Sequence, residues 1–441
     1  MKQTTLFREF IRYSSFSILG MIGISCYILA DTFFVAQGVG TNGLAALNLA
    51  IPAYNFINGT GLMLGMGGAT KYSIYKSQKK EKEADHAFTT TIRLAIASAV
   101  LFALAGLFFS GPLSRLLGAD KAVFEMTNTY LQVLLLFSPA FICNDIMLCF
   151  VRNDGNPRLS MIATVTGSFA NIILDYIFIF PCGMGIFGAV FATGISPVTS
   201  ICMMGLLHWR SKRRGFHFTK ETPVKGMALG TLSLGFPSLV AQLSSGIVMI
   251  TFNKIILSLE GNTGVAAYGV VANISLVVVS IYNGIAQGIQ PLTSQAYGQS
   301  CWKDARRLLR YAMISMSILS VILYAFLFGF AGPIAQLFNS ENNAALYTIA
   351  VQGLKLYFTA VLFVGFNIIL SMYFSSTEKA MPAQIISLLR GIFLIIPIAF
   401  LLAFLFDMTG VWLAFPATEC LVAVLGIFLY KRTFSKKTSG I

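Results

Sequence analysis

Four oxygen-bearing side chains sit where this sequence is otherwise apolar: Asp31, Asn171, Asp175 and Thr193. Asn171 and Asp175 are four residues apart, so on a helix they share one face. Two carboxylates, a carboxamide and a hydroxyl are hard donors. Brought together, they suit a small hard cation such as sodium, or a proton shared between the acids. Ionisable groups at membrane depth are costly and by default mark ion or substrate paths. A plainer reading is that Asp31 and Asp175 serve as hydrogen-bonding glue between helices.

Three more ionisable residues fall inside apolar stretches. Asp145, next to Asn144, either pairs with Arg152 or lies near a cavity. Arg390 either snorkels towards the nearer surface or takes part in gating. Glu419 follows Thr418 and could line the second half of the molecule. The three histidines, His86, His208 and His217, lie in or beside loops with nothing around them to form a catalytic site. The seven cysteines show no CxxC pair or Cys/His spacing and read as small buried hydrophobes. The run Gly59, Gly61, Gly65, Gly67, Gly68 follows no strand, so it is not a dinucleotide loop; Gly61 and Gly65 make a small-residue face for tight helix packing.

The elements that must position these groups are membrane spans. The 441 residues are 56% hydrophobic and 11% charged, against about 25% charged in soluble proteins. Runs such as 94–109, 161–180 and 391–406 carry almost no charge. With about 20 residues per crossing, twelve spans are expected near 14–38, 44–70, 88–112, 125–151, 159–180, 186–209, 228–257, 264–294, 311–332, 345–373, 383–403 and 409–430. No cleavable leader is expected, since 1–12 is polar and basic.

The net charge of +14 sits in short loops and acts as a topology signal rather than a nucleic-acid surface. Alternate loops carry Lys71, Lys76, Lys79, Lys80 and Lys82; Arg152 and Arg158; Arg210 to Lys225; Lys303, Arg306, Arg307 and Arg310; and Lys379. The opposite loops carry little beyond Arg115 and Lys121. Both termini are therefore expected in the cytoplasm of a multi-pass cell-membrane protein.

The basic stretch near 210–225 halves the chain, and the halves repeat. Thr41-Asn42-Gly43-Leu44-Ala45-Ala46 matches Asn262-Thr263-Gly264-Val265-Ala266-Ala267, and the same offset carries Gly67 to Gly288 and Gly111-Pro112 to Gly332-Pro333. Ala192-Thr193 matches Ala417-Thr418 at a slightly larger offset. An even number of spans per half makes these parallel repeats, as in alternating-access carriers. The expected fold is all-α: two six-helix lobes, 1–212 and 227–441, joined by a cytoplasmic linker 213–226 around a central cavity. The repeat maps Asp31 to Phe252, Asp175 to Phe400 and Asn171 to Ile396, so the acidic cluster belongs to one half alone.

Several segments together resemble the multidrug and toxic compound extrusion family, in its prokaryotic DNA-damage-inducible-F-like branch. They are Asp31-Thr32-Phe33-Phe34-Val35 with Gly40-Thr41 and Leu44-Ala45-Ala46; Arg152-Asn153-Asp154-Gly155-Asn156-Pro157; Asn171-Ile172-Ile173-Leu174-Asp175-Tyr176 with Gly185-Ile186-Phe187-Gly188-Ala189 and Ala192-Thr193; and Gln287-Gly288-Ile289-Gln290-Pro291. The resemblance covers essentially the whole chain. It implies that Asp31, Asn171, Asp175 and Thr193 take part in cation coupling. Members often carry a proline early in span 1, linked to bending on protonation. Here Phe16 stands opposite Pro237 in the repeat and span 1 has no proline. Sodium is therefore the expected coupling ion, with a proton the alternative.

The function these features point to is antiport of lipophilic organic cations and drugs, not enzymatic catalysis. No GxxxxGK[ST] loop is present to use ATP. The expected partners are small organic cations, sodium or protons, and the lipid bilayer; no cofactor, nucleic acid or obligate protein partner is indicated. A lipid-linked sugar flippase would want a cationic cavity for a diphosphate, but Arg390 is the only deep base. An intramembrane transferase would need an acidic metal motif such as DDxxD, which does not occur. A channel would need neither the repeat nor a one-sided acidic cluster.

Overall fold

The computed structural model describes residues 3–210, 215–220, 224–339 and 343–435. These residues form helices and short connections, with no strand among them. Lipid offers no partner to a backbone N–H, and a helix satisfies its own. In chain order the helices are α1 (Gln3–Gly38), α2 (Thr41–Ser77), α3 (Glu81–Leu116), α4 (Phe124–Leu136), α5 (Ser138–Asn153), α6 (Pro157–Ile179), α7 (Gly185–Arg210), α8 (Met227–Gly298), α9 (Trp302–Gly329), α10 (Ala331–Leu337), α11 (Ala344–Tyr357), α12 (Val361–Ser376), α13 (Ala380–Leu388) and α14 (Ile395–Ser435).

Eight helical stretches are each long and apolar enough to cross a bilayer, and the α4–α5 pair, bent by 48°, makes a ninth. Two of them are crossings back to back. In α8 the helix breaks at Gly261, with φ 60°. Phe252 and Tyr268 flank the break and stack with ring centroids 5.6 Å apart, where a straight helix would hold them about 24 Å apart. In α14 the break falls at Phe406 and Asp407, and Gly410 returns against the carbonyl of Leu402. α2, whose glycines and polar residues lower its hydropathy, completes the twelve spans that the sequence predicts.

The repeat extends to backbone conformation. Gly40 and Gly261, an equivalent pair, are both left-handed, as are Lys79 and Ser300 at the ends of α2 and α8. Two apolar cores result, one per lobe. Large side chains such as Phe108, Val321 and Phe404 are left on the outer surface, where lipid solvates them.

Two segments depart from the expected lobes. The polar start of the chain is helical, and α1, at about 54 Å, outruns the bilayer core. Its first turns bury Leu6, Phe10 and Tyr13 in the second lobe's core, with Phe7 edge-on to Tyr311. The linker is anchored to the first lobe. Phe216 packs 4.7 Å from the Phe88 ring, and the amide N–H of His217 donates to Asp85 at 2.8 Å. The linker residues 211–214 and 221–223, including Lys212, Arg213 and Arg214, lie outside the described residues, as do Lys436 and Lys437.

The lobes meet most closely at the end that carries the lysine- and arginine-rich loops, here the basic end. Gly67 and Gly235 bring α2 and α8 into backbone contact: a Cβ on either would stand within 2 Å of the opposite chain's carbonyl oxygen. Around them Arg152 donates to Gln287 (2.8 Å), Asn153 donates to Gln290 (2.8 Å), and Gln290 donates to Thr70 (2.9 Å). Ser73 donates to the carbonyl of Pro291 at 3.3 Å, and Lys71 pairs with Glu378 at 2.7 Å. Near mid-depth two further bonds join the lobes, Asn55 to Ser245 at 3.3 Å and Ser25 to Ser280 at 2.7 Å, and beyond them towards the outer ends no lobe-to-lobe hydrogen bond is found among the described residues. The basic end is sealed.

Within the second lobe, Arg390 and Glu419 form a buried ion pair. The guanidinium donates twice to one Glu419 oxygen, at 3.0 and 2.7 Å. The Asn367 amide donates to the other oxygen at 2.7 Å and to the Glu419 carbonyl at 2.9 Å. A π-helical turn, Leu389–Phe393, carries Arg390, and such a turn re-aims a side chain relative to a regular helix. Glu419 is 1% exposed, so removing its partner would strand a charge. Arg390→Met or Glu419→Gln alone should each cost about 3–5 kcal/mol and lower the melting temperature in detergent. The double variant Arg390→Met/Glu419→Met should melt closer to the parent than either single variant.

Candidate functional site

The four residues singled out at the start converge in the first lobe. Asp31 comes from α1, Asn171 and Asp175 from one face of α6, and Thr193 from α7. Their exposures are 8%, 0%, 0% and 4% in that order, so protein encloses the cluster. The Asp31 and Asp175 carboxyls lie within hydrogen-bonding reach of each other. The Asn171 amide donates to the Thr193 hydroxyl at 3.5 Å, and that hydroxyl donates to the Ala189 carbonyl at 3.0 Å.

One oxygen of Asp31, both oxygens of Asp175 and the Asn171 carbonyl oxygen have no donor. Four buried acceptors lack a partner, and no lysine or arginine pairs with either acid among the described residues. Two neighbouring carboxylates need a positive charge between them, either a bound cation or a shared proton. The set has the hard-oxygen chemistry for both. In the second lobe the equivalent of Asp31 is Phe252, fully buried and stacked on Tyr268, and the equivalent of Asp175 is the outward-facing Phe400. The same positions there are filled with carbon.

Three tyrosines complete the site and escaped the sequence reading. Tyr130 on α4 lies beside Thr193 and close to both acids. Tyr27, one helical turn before Asp31, shares a hydrogen bond with Tyr54 of α2. Its spacing of four from Asp31 was the available signal. Nothing local marks Tyr54 or Tyr130, whose roles depend on which helices meet.

The other ionisable residues have distinct surroundings. Asp145 on α5 does not pair with Arg152. Seven residues along a helix is about 10 Å, and Arg152 instead crosses the lobe interface to Gln287. One oxygen of Asp145 is buried without a donor. Arg390 does not reach for the surface; it is held by Glu419. The glycine face of α2 packs on α5, with Gly61 against Asp145 and Gly65 against Cys149.

Comparison with known proteins agrees with this architecture. The MatE family model matches the chain twice, over residues 17–177 and 237–401, once in each half. The multidrug export protein MepA of Staphylococcus aureus strain MRSA252 is 25% identical over 446 aligned positions, covering 100% of this chain and 97% of that protein. Its namesake from Staphylococcus saprophyticus is 25% identical, with 98% and 95% covered. Among solved structures, a MOP superfamily transporter from Pyrococcus furiosus, described as having a binding pocket of reversed polarity, superposes with a TM-score of 0.89 at 25% identity over 98% of both chains. An outward-facing multidrug resistance MATE transporter gives 0.91 at 24% identity, again over 98% of both. A family model that spans both lobes, together with the shared twelve-helix fold, leaves one assignment: the chain belongs to the multidrug and toxic compound extrusion (MATE) family of membrane transporters.

Proposed function

We propose that this protein is a cation-coupled antiporter that exports lipophilic organic cations and drugs across the cell membrane, with sodium as the coupling ion and a proton as the alternative. The observation that carries this reading is the set of unpartnered acceptor oxygens on Asp31, Asn171 and Asp175, found in one lobe alone. A cation that enters the cluster neutralises the acids. A positively charged substrate drawn to the same anionic lobe then loses its attraction and leaves. Like charges competing for one field make each ligand weaken the other, which is the thermodynamic content of antiport. The multidrug export relatives support the substrate class. A flippase for a lipid-linked diphosphate is disfavoured, because Arg390, a base deep in its span, is already held by Glu419.

The basic end is cytoplasmic in this reading, following the charge bias of the loops. The seal at that end makes the conformation outward-facing, and export requires the lobes to rock until the seal opens.

Orientation can be tested with the native cysteines. Cys182, exposed between α6 and α7, and Cys301, exposed after α8, lie at opposite ends. In single-cysteine variants, a membrane-impermeant maleimide should label Cys182 on intact cells and Cys301 only after permeabilisation. The reverse pattern would invert the topology. Coupling can be tested in inside-out vesicles by following uptake of ethidium from the medium, with an outward sodium gradient and then an outward proton gradient imposed. Ethidium should enter as sodium leaves, and Asp31→Asn and Asp175→Asn should each abolish this uptake. Transport driven by the pH gradient alone would make the ion a proton. No transport of ethidium or other organic cations under either gradient would remove the drug-export reading.

A further inference from the structure

The cation cluster is too enclosed to hold a drug. Asp31 and Asp175 are 8% and 0% exposed, with helices on every side. Another carboxylate in the same lobe is differently placed. Asp145 is partly exposed, as are its neighbours Cys143 and Asn144, so one flank of α5 is open at this level. One of its oxygens has no donor, nor does the carbonyl oxygen of Asn144. The glycine on α2 lets the acid lie against the backbone, since a Cβ on Gly61 would stand 2.6 Å from an Asp145 oxygen.

Two aromatic rings lie near the acid. Tyr54 packs edge-on to Phe141, centroids 5.8 Å apart, and Phe141 lies one helical turn before Asp145. The Tyr54 hydroxyl bonds to Tyr27, and both tyrosines are within electrostatic range of Asp145 and of Asp31. No protein cation reaches Asp145 among the described residues: Arg152 is held by Gln287, and Arg93 of α3 is exposed. A carboxylate without a counter-ion beside aromatic faces is the chemistry that recognises a lipophilic ammonium or phosphonium, through charge attraction and cation–π contact.

We propose that Asp145, flanked by Tyr54 and Phe141, is the counter-ion for the positive charge of the transported substrate, at a seat separate from the cation cluster of Asp31 and Asp175. The proposal rests on the drug-export reading and refines it. The two ligands do not exchange at one atom. They occupy two anionic seats in one lobe, and the hydrogen-bonded Tyr27–Tyr54 pair is near both. Loading of the cluster weakens substrate binding through the shared field and through this pair.

The test is binding of tetraphenylphosphonium and of a neutral aromatic drug to the purified full-length protein in detergent, by titration calorimetry with and without sodium and at two pH values. Asp145→Asn should weaken tetraphenylphosphonium binding by about tenfold or more and leave the neutral ligand within about twofold, whereas Asp145→Glu should keep most of the affinity. Phe141→Leu, which keeps the acid, should weaken the same cation several-fold and provides a second reading if Asp145→Asn does not fold. Asp31→Asn should still bind tetraphenylphosphonium but lose the dependence on sodium or pH. Parental affinity for the cation in both Asp145→Asn and Phe141→Leu would overturn the inference, as would equal losses for charged and neutral ligands. Failure of the parent to bind any organic cation would instead remove the drug-export reading and this inference with it.

Discussion

A charge inside a bilayer must find its partner in the protein, because lipid supplies none. The two lobes answer this constraint in opposite ways. The second lobe closes its account internally: Arg390 meets Glu419, Asn367 caps the remaining carboxylate oxygen, and the set is neutral. The first lobe places Asp31, Asp175 and Asp145 in its spans and pairs none of them with a lysine or arginine among the described residues. A neutral set whose carboxylate is fully paired has nothing to exchange. An anionic, unsatisfied set is stable only with a mobile positive charge, and exchanging that charge is what a transporter does.

The same constraint shapes the backbone. Twelve crossings need tight turns at their ends, and Gly40 and Gly261 provide equivalent left-handed ones that a Cβ would strain. Between the lobes, glycines let α2 and α8 touch through main chain. The motif Arg152 to Pro157 shows how densely one loop can be used. Arg152 and Asn153 reach the other lobe. Asp154 accepts from Tyr72 at 2.6 Å, pairs with Lys76 and lies against Gly215 of the linker. Gly155 turns left-handed, Asn156 caps α6 by accepting from Leu159, and Pro157 opens that helix. One short segment thus joins the first lobe, the second lobe and the linker at the sealed end.

Much of this was legible in the sequence. Spans follow from hydropathy, the repeat from matched motifs, and the cluster from the rarity of acids in apolar runs. What escaped depended on contacts between distant segments. The polar opening of the chain reads as a tail, yet Leu6, Phe10 and Tyr13 form an apolar stripe that needs the second lobe to cover it. The linker reads as a basic tether, and only the fold reveals the aromatic pocket of Phe88, Tyr72 and Phe150 that receives Phe216. Arg390 and Glu419 are 29 residues apart on different crossings, so no local spacing joins them. The tyrosines around the cluster carry no signal beyond their residue type, except Tyr27, which is in register with Asp31.

The energetics of the seal fit the size of the ligands proposed to control it. Its polar part at the basic end consists of four hydrogen bonds and one ion pair near the surface, beside the main-chain contact of α2 with α8. Such bonds contribute about 0.5–1.5 kcal/mol each, and a partly exposed ion pair about 1 kcal/mol or less. Turning a two-state equilibrium from one side to the other takes about 5.5 kcal/mol of differential binding. The two amounts are of the same order. A seal much stronger than this would hold the lobes shut against any small ion, and a much weaker one would let them open without one. Because the buried carboxylate oxygens without a donor lie in the first lobe among the described residues, cation loading as proposed would change the electrostatics of that lobe while the second could move as a rigid body. In the proposed mechanism, the asymmetry within the repeat is what would let a small ion at one end of the first lobe influence contacts at the other.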